Sequence, residues 1–107
     1  MNSDLFSQID RVIHERVRLA IMSSLAASRG LTFRELRDLL KLTDGNLSVH
    51  LRTLQEAGYV SVTKAFVDHK PHSTIELTVP GKTAFRKYLD SLESIVKSHR
   101  PRDPGSA

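Results

Sequence analysis

The stretch Thr43 to Tyr59, TDGNLSVHLRTLQEAGY, decides the fold of this chain. Thr43 or Asp44 can cap the start of a helix by accepting a hydrogen bond from a free backbone N–H, and Gly58 can end it in a left-handed conformation. Between them, leucines recur at i, i+4 and i+7, so they form one apolar stripe that must face a core. They are Leu47, Leu51 and Leu54. The spacing predicts a helix of about three to four turns.

The opposite side of this helix is short of the lysine and glutamate that a solvated face usually carries. At about 100° per residue, it presents Gly45, Asn46, Ser48, Val49, Arg52, Thr53 and Glu56. Small donors and acceptors beside one apolar side chain suit the edges of bases in a major groove, where purine acceptors and the thymine methyl are distinct. We interpret it as a recognition helix. A plain amphipathic core helix is the alternative.

Length and composition favour a single domain. The chain has 107 residues, no cysteine and a formal charge of +4, a surplus that is too small to identify a nucleic-acid binder by itself. The missing thiols exclude disulfides and cysteine nucleophiles, and fit a reducing cytoplasm. Neither a signal peptide nor an apolar run of about 18 residues is present, so we expect a cytoplasmic protein without a membrane span.

The flanking segments complete a mainly helical fold with a small β-hairpin. We predict a helix from Asp4 to about Ser28, jointed near His14. A short helix follows the capping box that begins at Thr32 and contains Glu35, and its expected buried side chains are Phe33, Leu36, Leu39 and Leu40. Because only a few residues separate it from the recognition helix, the two form a helix-turn-helix unit.

Alternating side chains predict two strands after Gly58, one around Val60 and Val62 and one around Ile75 and Leu77. The residues between, 67 to 72, are polar and contain a proline, which indicates a loop at the hairpin tip. Thr78 can cap a last helix of about 18 residues. The tail from residue 100 to 107 is polar and rich in proline, and we expect it to be disordered, which leaves residues 1–99 as the domain.

This order of elements, and in particular LTDGNLSVHLRTLQEAGYV with the L-T-x-x-G step at Leu77, Thr78 and Gly81, resembles the single-domain winged helix-turn-helix transcriptional regulators of the MarR and ArsR types. The likeness runs from about residue 14 to 92. It implies a homodimer that binds a pseudo-palindromic operator in double-stranded DNA, most simply as a repressor. The recognition helix would enter the major groove, and the hairpin wing would lie along the backbone or minor groove.

The resemblance also assigns residues to roles. On the recognition helix it implies DNA contacts for Thr43, Asp44, Asn46, Ser48, Val49, His50 and Arg52, and at the wing tip for His69, Lys70 and His72. For the dimer, the N- and C-terminal helices would supply Leu5, Phe6, Ile9, Phe85, Tyr88, Leu89, Leu92, Ile95 and Val96. Because the terminal helix is long beside so small a core, its stripe favours dimer formation over purely internal packing.

Several alternatives remain open at the level of sequence. His50 borders the buried stripe, so it can make either a structural hydrogen bond or a phosphate contact. Asp68, His69 and His72 carry metal-ligating groups, but a proline-containing loop is a poor scaffold, and we predict neither a metal nor a cofactor. Known enzyme motifs are absent. A winged-helix module that binds protein, or a regulator that responds to a metal or a small effector, remains the alternative to plain DNA readout.

Overall fold

The computed structural model describes residues 3–105, and of Ser3 the backbone only. It contains five helices and one small sheet within that range. In chain order they are α1 (Ser3–Ser7), α2 (Arg16–Ala26), β1 (Leu31–Thr32), α3 (Phe33–Leu40), α4 (Asp44–Glu56), β2 (Val60–Val67), β3 (Lys70–Leu77) and α5 (Val79–His99). The prediction of a mainly helical fold with a β-hairpin, in the order of a winged helix-turn-helix, is confirmed.

The helix-turn-helix unit forms from strong local signals. Thr32 Oγ1 accepts from Glu35 N at 3.1 Å while Glu35 Oε1 accepts from Thr32 N at 2.9 Å, which completes the capping box. Lys41 then takes a left-handed conformation, with φ 54°, and ends α3. Leu36 is fully buried, but Leu39, which we expected in the core, is 61% exposed. In so short a helix only one stripe faces the core, and Leu39 lies beyond its edge.

The N-terminal segment departs from the single jointed helix that we predicted. α1 ends at Ser7, and residues 8–15 form turns before α2 begins. Asp10 explains the break, because its Oδ1 accepts from the backbone N–H groups of Val12 at 2.8 Å and Ile13 at 3.2 Å, in competition with a helical pattern. Glu15 then caps α2 by accepting from Arg18 N at 2.8 Å.

The sheet has the strand order β1-β3-β2, with all pairs antiparallel. β1 pairs only Leu31 with Ile75 and Thr32 with Thr74, and two residues are too few to show an alternating pattern in the sequence. The loop that we expected at the hairpin tip is instead a turn of two residues. Asp68 and His69 both have positive φ, 52° and 64°, as a type I′ turn requires.

The strands therefore extend further than predicted, and Lys70 and His72 belong to β3. Pro71 lies within β3, opposite Phe66. Because the two-residue turn closes on the hydrogen-bonded pair Val67–Lys70, the Phe66–Pro71 pair is a non-hydrogen-bonded one. β1 ends before this level, so the N–H that proline lacks is not needed by a neighbouring strand.

α5 runs for 21 residues, which is about 31 Å. Thr78 caps it by accepting from Gly81 N at 3.0 Å. Its first half closes the core with Phe85 and Tyr88, which pack with residues of α2, α3, α4 and the sheet, among them Ile21, Met22, Leu36, Leu47, Leu54 and Ile75. Residues 100–105 are exposed and lie outside helix and strand. Residues 1, 2, 106 and 107 are outside the described part, so the disorder of the tail stays a prediction.

Candidate nucleic-acid interface

The central element of the candidate interface is α4, which is held by a cap at its start and by leucines along one side. Thr43 Oγ1 accepts from Asn46 N at 3.1 Å, and Gly58 follows the helix with φ 81°. Leu47, Leu51 and Leu54 are buried. These contacts fix the axial position and the rotation of the helix, and so determine which side chains point outward.

The outward side of α4 is open to solvent. Val49 is 63% exposed, and the small or polar side chains around it are exposed too; they are Gly45, Asn46, Ser48, Arg52 and Glu56. Thr53 is half-buried, and its hydroxyl donates back to Val49 O at 3.3 Å, so it serves its own helix. The exposed set forms a surface without a dense charge, on which donors, acceptors and one methyl-bearing side chain stand free.

Asp44 is not free, because an arginine of α3 binds it. Arg37 Nη1 donates to Asp44 Oδ1 at 3.0 Å, and Arg37 Nε donates to Asp38 Oδ1 at 3.0 Å. Asp44, followed by Asp38, raises the pKa of Arg37. The pair holds a guanidinium beside the N-terminus of α4. Arg37 is not among the sequence-predicted contacts, since its seven-residue separation from Asp44 matches no helical neighbour rule.

His50 faces the start of α2. Its Nδ1 lies 3.0 Å from Arg18 Nη1 and 3.6 Å from Glu15 Oε1, and the ring is half-buried. Burial raises the pKa of Glu15, but hydrogen bonds from the backbone N–H groups of Arg18 and Val17 and the charges of His50 and Arg18 outweigh it and lower that pKa. Of the two alternatives for His50, the structure favours the structural contact.

The wing carries exposed lysine and histidine side chains on a narrow hairpin. His69 stands in the turn, and Lys70 and His72 lie two residues apart on one face of β3, all three exposed. An open groove separates the wing from the helix-turn-helix unit, with Arg34, Arg37 and Asp44 on one side and Pro71, His72 and Ser73 on the other. α4 and the wing thus border one common surface. Phe66 and Val67, which are not among the sequence-predicted contacts, also lie exposed on this wing.

Comparison with known proteins agrees with this geometry. The sequence model of a family described as winged helix DNA-binding domain matches residues 17–96, which include α2 to α4, the wing and most of α5. This chain belongs to the winged helix DNA-binding domain family. The family is one of DNA-binding domains and not of enzymes.

Two proteins similar to this winged helix chain match it over most of their length. An uncharacterised protein of Methanocaldococcus jannaschii is 31% identical over 88 residues, covering 82% of this chain and 96% of that protein. The structure of a transcriptional regulator homologue protein from Pyrococcus horikoshii OT3 superposes with a TM-score of 0.81 at 29% identity, over 90% of this chain and 93% of the other.

MarR regulators have the same fold at lower identity. A MarR-family transcriptional regulator from Silicibacter pomeroyi superposes with a TM-score of 0.60 at 20% identity, over 95% of this chain and 68% of that one. The predicted likeness to MarR-type winged helix proteins is therefore confirmed at the level of fold.

The residues predicted for a dimer surface divide into three groups by burial in the winged helix chain. Phe85 and Tyr88 are only 8% and 2% exposed, because they close the core of their own chain, so we remove both from the predicted surface. Phe6, Leu89 and Val96 are exposed, and the remainder are half-buried, namely Leu5, Ile9, Leu92 and Ile95. α1 lies against the far end of α5, where the rings of Phe6 and His99 are 5.5 Å apart.

Two further observations concern residues 3–105 of the winged helix chain. Among them, no three His, Cys, Asp or Glu side chains lie close enough together to hold a metal ion, and this includes Asp68, His69 and His72. None of the helices in that range has the length and apolar character needed to cross a bilayer.

Proposed function

We propose that this chain is a sequence-specific transcriptional regulator that binds double-stranded DNA as a homodimer and acts in the cytoplasm as a repressor. The observation that carries the proposal is the open outward side of α4, which lies beside the exposed lysine and histidine side chains of the wing across one shared groove. Membership of a family of DNA-binding domains supports the same conclusion.

In this proposal α4 enters the major groove and its exposed side chains read base edges. Asn46 and Arg52 have the bidentate groups that pair with adenine and guanine, Ser48 can donate or accept, and Val49 can contact a thymine methyl. Thr43 caps the start of α4, and the N-terminus of this helix suits a phosphate. Asp44 acts with Arg37, whose guanidinium can exchange a carboxylate for a phosphate oxygen.

The wing and the terminal helices supply the rest of the complex. His69, Lys70 and His72 would contact the DNA backbone or minor groove next to the α4 site. Two copies joined through Phe6, Leu89 and Val96, with the half-buried side chains around them, would present two recognition helices to half-sites about one helical turn, 34 to 36 Å, apart. Such a dimer would exclude other proteins from the operator, which is the simplest route to repression.

Selection from a random duplex library, followed by footprinting, tests this function. We expect a footprint of two inverted half-sites and an affinity that falls steeply as salt is raised, because bound phosphates release counterions. If the protein enriches no duplex, or binds DNA with no dependence on salt, the chain is a winged-helix module for another partner, such as a protein.

Replacement of Arg52 by alanine tests the reading of bases. If Arg52 contacts a base, Arg52→Ala should weaken binding to the selected operator by about 1–3 kcal/mol while binding to random duplex changes less. Arg86→Ala is a matched control, because Arg86 is an exposed arginine on α5, next to the C-terminal end of α2. Equal operator affinity for the two variants would remove Arg52 from the reading residues.

A further inference from the structure

The tip of the wing carries an aromatic side chain that is not among the DNA and dimer contacts proposed above. Phe66 is 78% exposed, the highest value among the large apolar side chains that the structure describes, and its neighbour Val67 is 52% exposed. Both lie in regular strand, paired in register to the last residue before the turn. Pro71, opposite Phe66, is exposed too, so the apolar surface at the tip spans three neighbouring side chains rather than one. An apolar surface of several residues favours contact with a partner.

The strand register shows that Phe66 lies too far along β2 to pack against the protein core. Val60 and Val62 lie on the same face of β2 as Phe66, and they contact the core. Phe66 is four residues beyond Val62, or about 13 Å at 3.3 Å per residue. Lys64 and its partner Ser73 separate it from the core, and its own partner is Pro71. The two side chains form an isolated apolar pair near the end of the hairpin.

Charge indicates what covers this pair. Lys64 lies on the same face of the hairpin as Phe66, one step nearer the core, and His69 stands in the turn beyond it. Lys70 and His72 lie on the opposite face of the tip, paired with Val67 and Ala65. Asp68 is the single acidic residue between positions 64 and 72. An apolar pair on a tip that carries two lysines and one aspartate fits a polyanion better than a second copy of the same tip. Minor-groove binders combine these two features, with basic residues along the backbones and an apolar wedge between bases.

The length of the wing also matches the distance between adjacent grooves of DNA. From Val62 to the turn at Asp68 the hairpin extends about 20 Å. In B-DNA a major groove and the next minor groove are half a helical turn apart, about 17 Å. With α4 in the major groove, the groove between α3 and the wing would straddle one phosphate backbone, and the wing tip would arrive over the adjacent minor groove.

We propose that Phe66, supported by Pro71, is a wedge that enters the minor groove beside each half-site, partly unstacks one base step and bends the DNA. The proposal rests on the DNA-binding function proposed above and adds a residue and a mode of readout to it. Pyrimidine–purine steps open most easily, so the wedge would select such steps in the flanks of the operator without hydrogen bonds to them.

The test uses the full chain and the duplex that it enriches from a random library, with 2-aminopurine placed in turn at the flanking steps. Phe66→Ala should bind the duplex roughly tenfold or more weakly, in line with the loss of one aromatic–base stack. It should also lose the 2-aminopurine fluorescence change and the DNA bend, which energy transfer between the duplex ends measures. Phe66→Leu, which keeps an apolar wedge, should retain most of the bend. Val79→Ala removes an apolar side chain of similar exposure, 76%, from the start of α5, and should bind as the wild type does.

The outcomes separate this inference from the function on which it rests. If the wild type binds its selected duplex, and Phe66→Ala binds and bends that duplex equally well, the wedge is wrong and the DNA-binding function stands. If the wild type enriches no duplex, both fail. If Phe66→Ala instead changes the sedimentation of the free protein, Phe66 covers a second copy of the chain and the wedge is overturned. Because Phe66 is exposed, its variants should unfold in urea nearly as the wild type does.

Discussion

At the scale of single residues, Gly81 shows how closely two backbones meet. It lies in the first turn of α5, and a Cβ added there would be 2.0 Å from Tyr59 O and 2.8 Å from Tyr59 C. Backbone atoms cannot move aside as a flexible side chain can. This close approach gives a physical reason for the glycine of the L-T-x-x-G step, where Thr78 N also donates to Tyr59 O at 3.1 Å.

We therefore expect Gly81→Ala to lower the free energy of unfolding by at least about 1–3 kcal/mol, the usual cost of overpacking. Gly45 provides the matched control, because nothing lies within 4 Å of a Cβ added there. Gly45→Ala should raise stability by about 0.5–1 kcal/mol through helix propensity. Urea unfolding of both variants gives the measurement, and a neutral Gly81→Ala would contradict the close approach.

Tyr59 connects the end of α4 to the turn before α2. Its hydroxyl donates to Asp10 Oδ2, and this hydrogen bond, followed by burial and the charge of Asp10, raises the pKa of Tyr59 to about 12. The unfolded chain releases the same proton near pH 10. This contribution to stability is therefore fully present below about pH 10 and is lost as the pH rises toward 12.

We expect the free energy of unfolding to fall between pH 10 and 12, and to fall less in Tyr59→Phe. The chain has two tyrosines, so the near-ultraviolet absorbance of phenolate can be assigned with this one variant. Burial raises the pKa of Tyr88 as well. In Tyr59→Phe the titration of Tyr88 is the one that remains. A wild-type phenolate signal that titrates equally in native protein and in urea would exclude the bond to Asp10.

At the scale of elements, the turn of the wing is held by residues that are not ideal for it. Asp68 and His69 both have positive φ, a conformation that costs a side chain about 1–2 kcal/mol and glycine nothing. Because β2 and β3 pair in register up to this turn, the turn sets the length and the stiffness of the wing.

We expect His69→Gly to stabilise the protein by about 0.5–1 kcal/mol, since relief of the left-handed strain exceeds the extra entropy that glycine loses. The same change three residues later, His72→Gly, falls in β3 and should destabilise by a similar amount. Chemical denaturation of the two variants distinguishes turn from strand, and effects of the same sign would contradict the register. Each variant removes one imidazole from the wing. A comparison of their DNA affinities therefore separates the effect of wing shape from the effect of a lost histidine contact.

At the scale of the whole molecule, the chain is elongated. Its radius of gyration is 16.9 Å and its extents are 65 × 29 × 23 Å, whereas a compact domain of this length has a radius near 13 Å. The tip of the wing, the end of α5 and residues 100–105 are exposed and lie outside the core. Leu89 and Val96 on α5 are 46% and 55% exposed, which leaves apolar surface for the dimer that we propose.

We expect the melting temperature of the wild type to rise with protein concentration, because association stabilises only the folded state. A Leu89→Lys, Val96→Lys double variant should sediment as a monomer, lose this dependence and bind the two half-sites of an operator more weakly. Val79→Lys, an equally drastic change at the exposed start of the same helix, should leave the dimer intact. Sedimentation of the wild type as a monomer at all concentrations would contradict the dimer.

Local sequence determined the helix-turn-helix unit. The caps at Thr32 and Thr43, the stripe of Leu47, Leu51 and Leu54, and the cap at Thr78 all act within a few residues. For this reason the amino-acid sequence by itself predicts where α3 and α4 lie and which side of α4 faces outward. The reading role of that side stays a prediction, because exposure alone does not identify what binds there.

Tertiary structure decided the features that depend on residues far apart in the chain. Tyr88 meets His14 across 74 positions, Tyr59 meets Asp10 across 49, and Arg18 meets His50 across 32. The contact with Arg18 directed His50 toward α2, and the contacts of Asp10 and His14 hold the turn before α2 against α4 and α5. The helical spacing of Phe85 and Tyr88 showed that they share a face, but periodicity is the same whether that face meets its own core or another copy. Only the packed chain shows which apolar groups it has already covered.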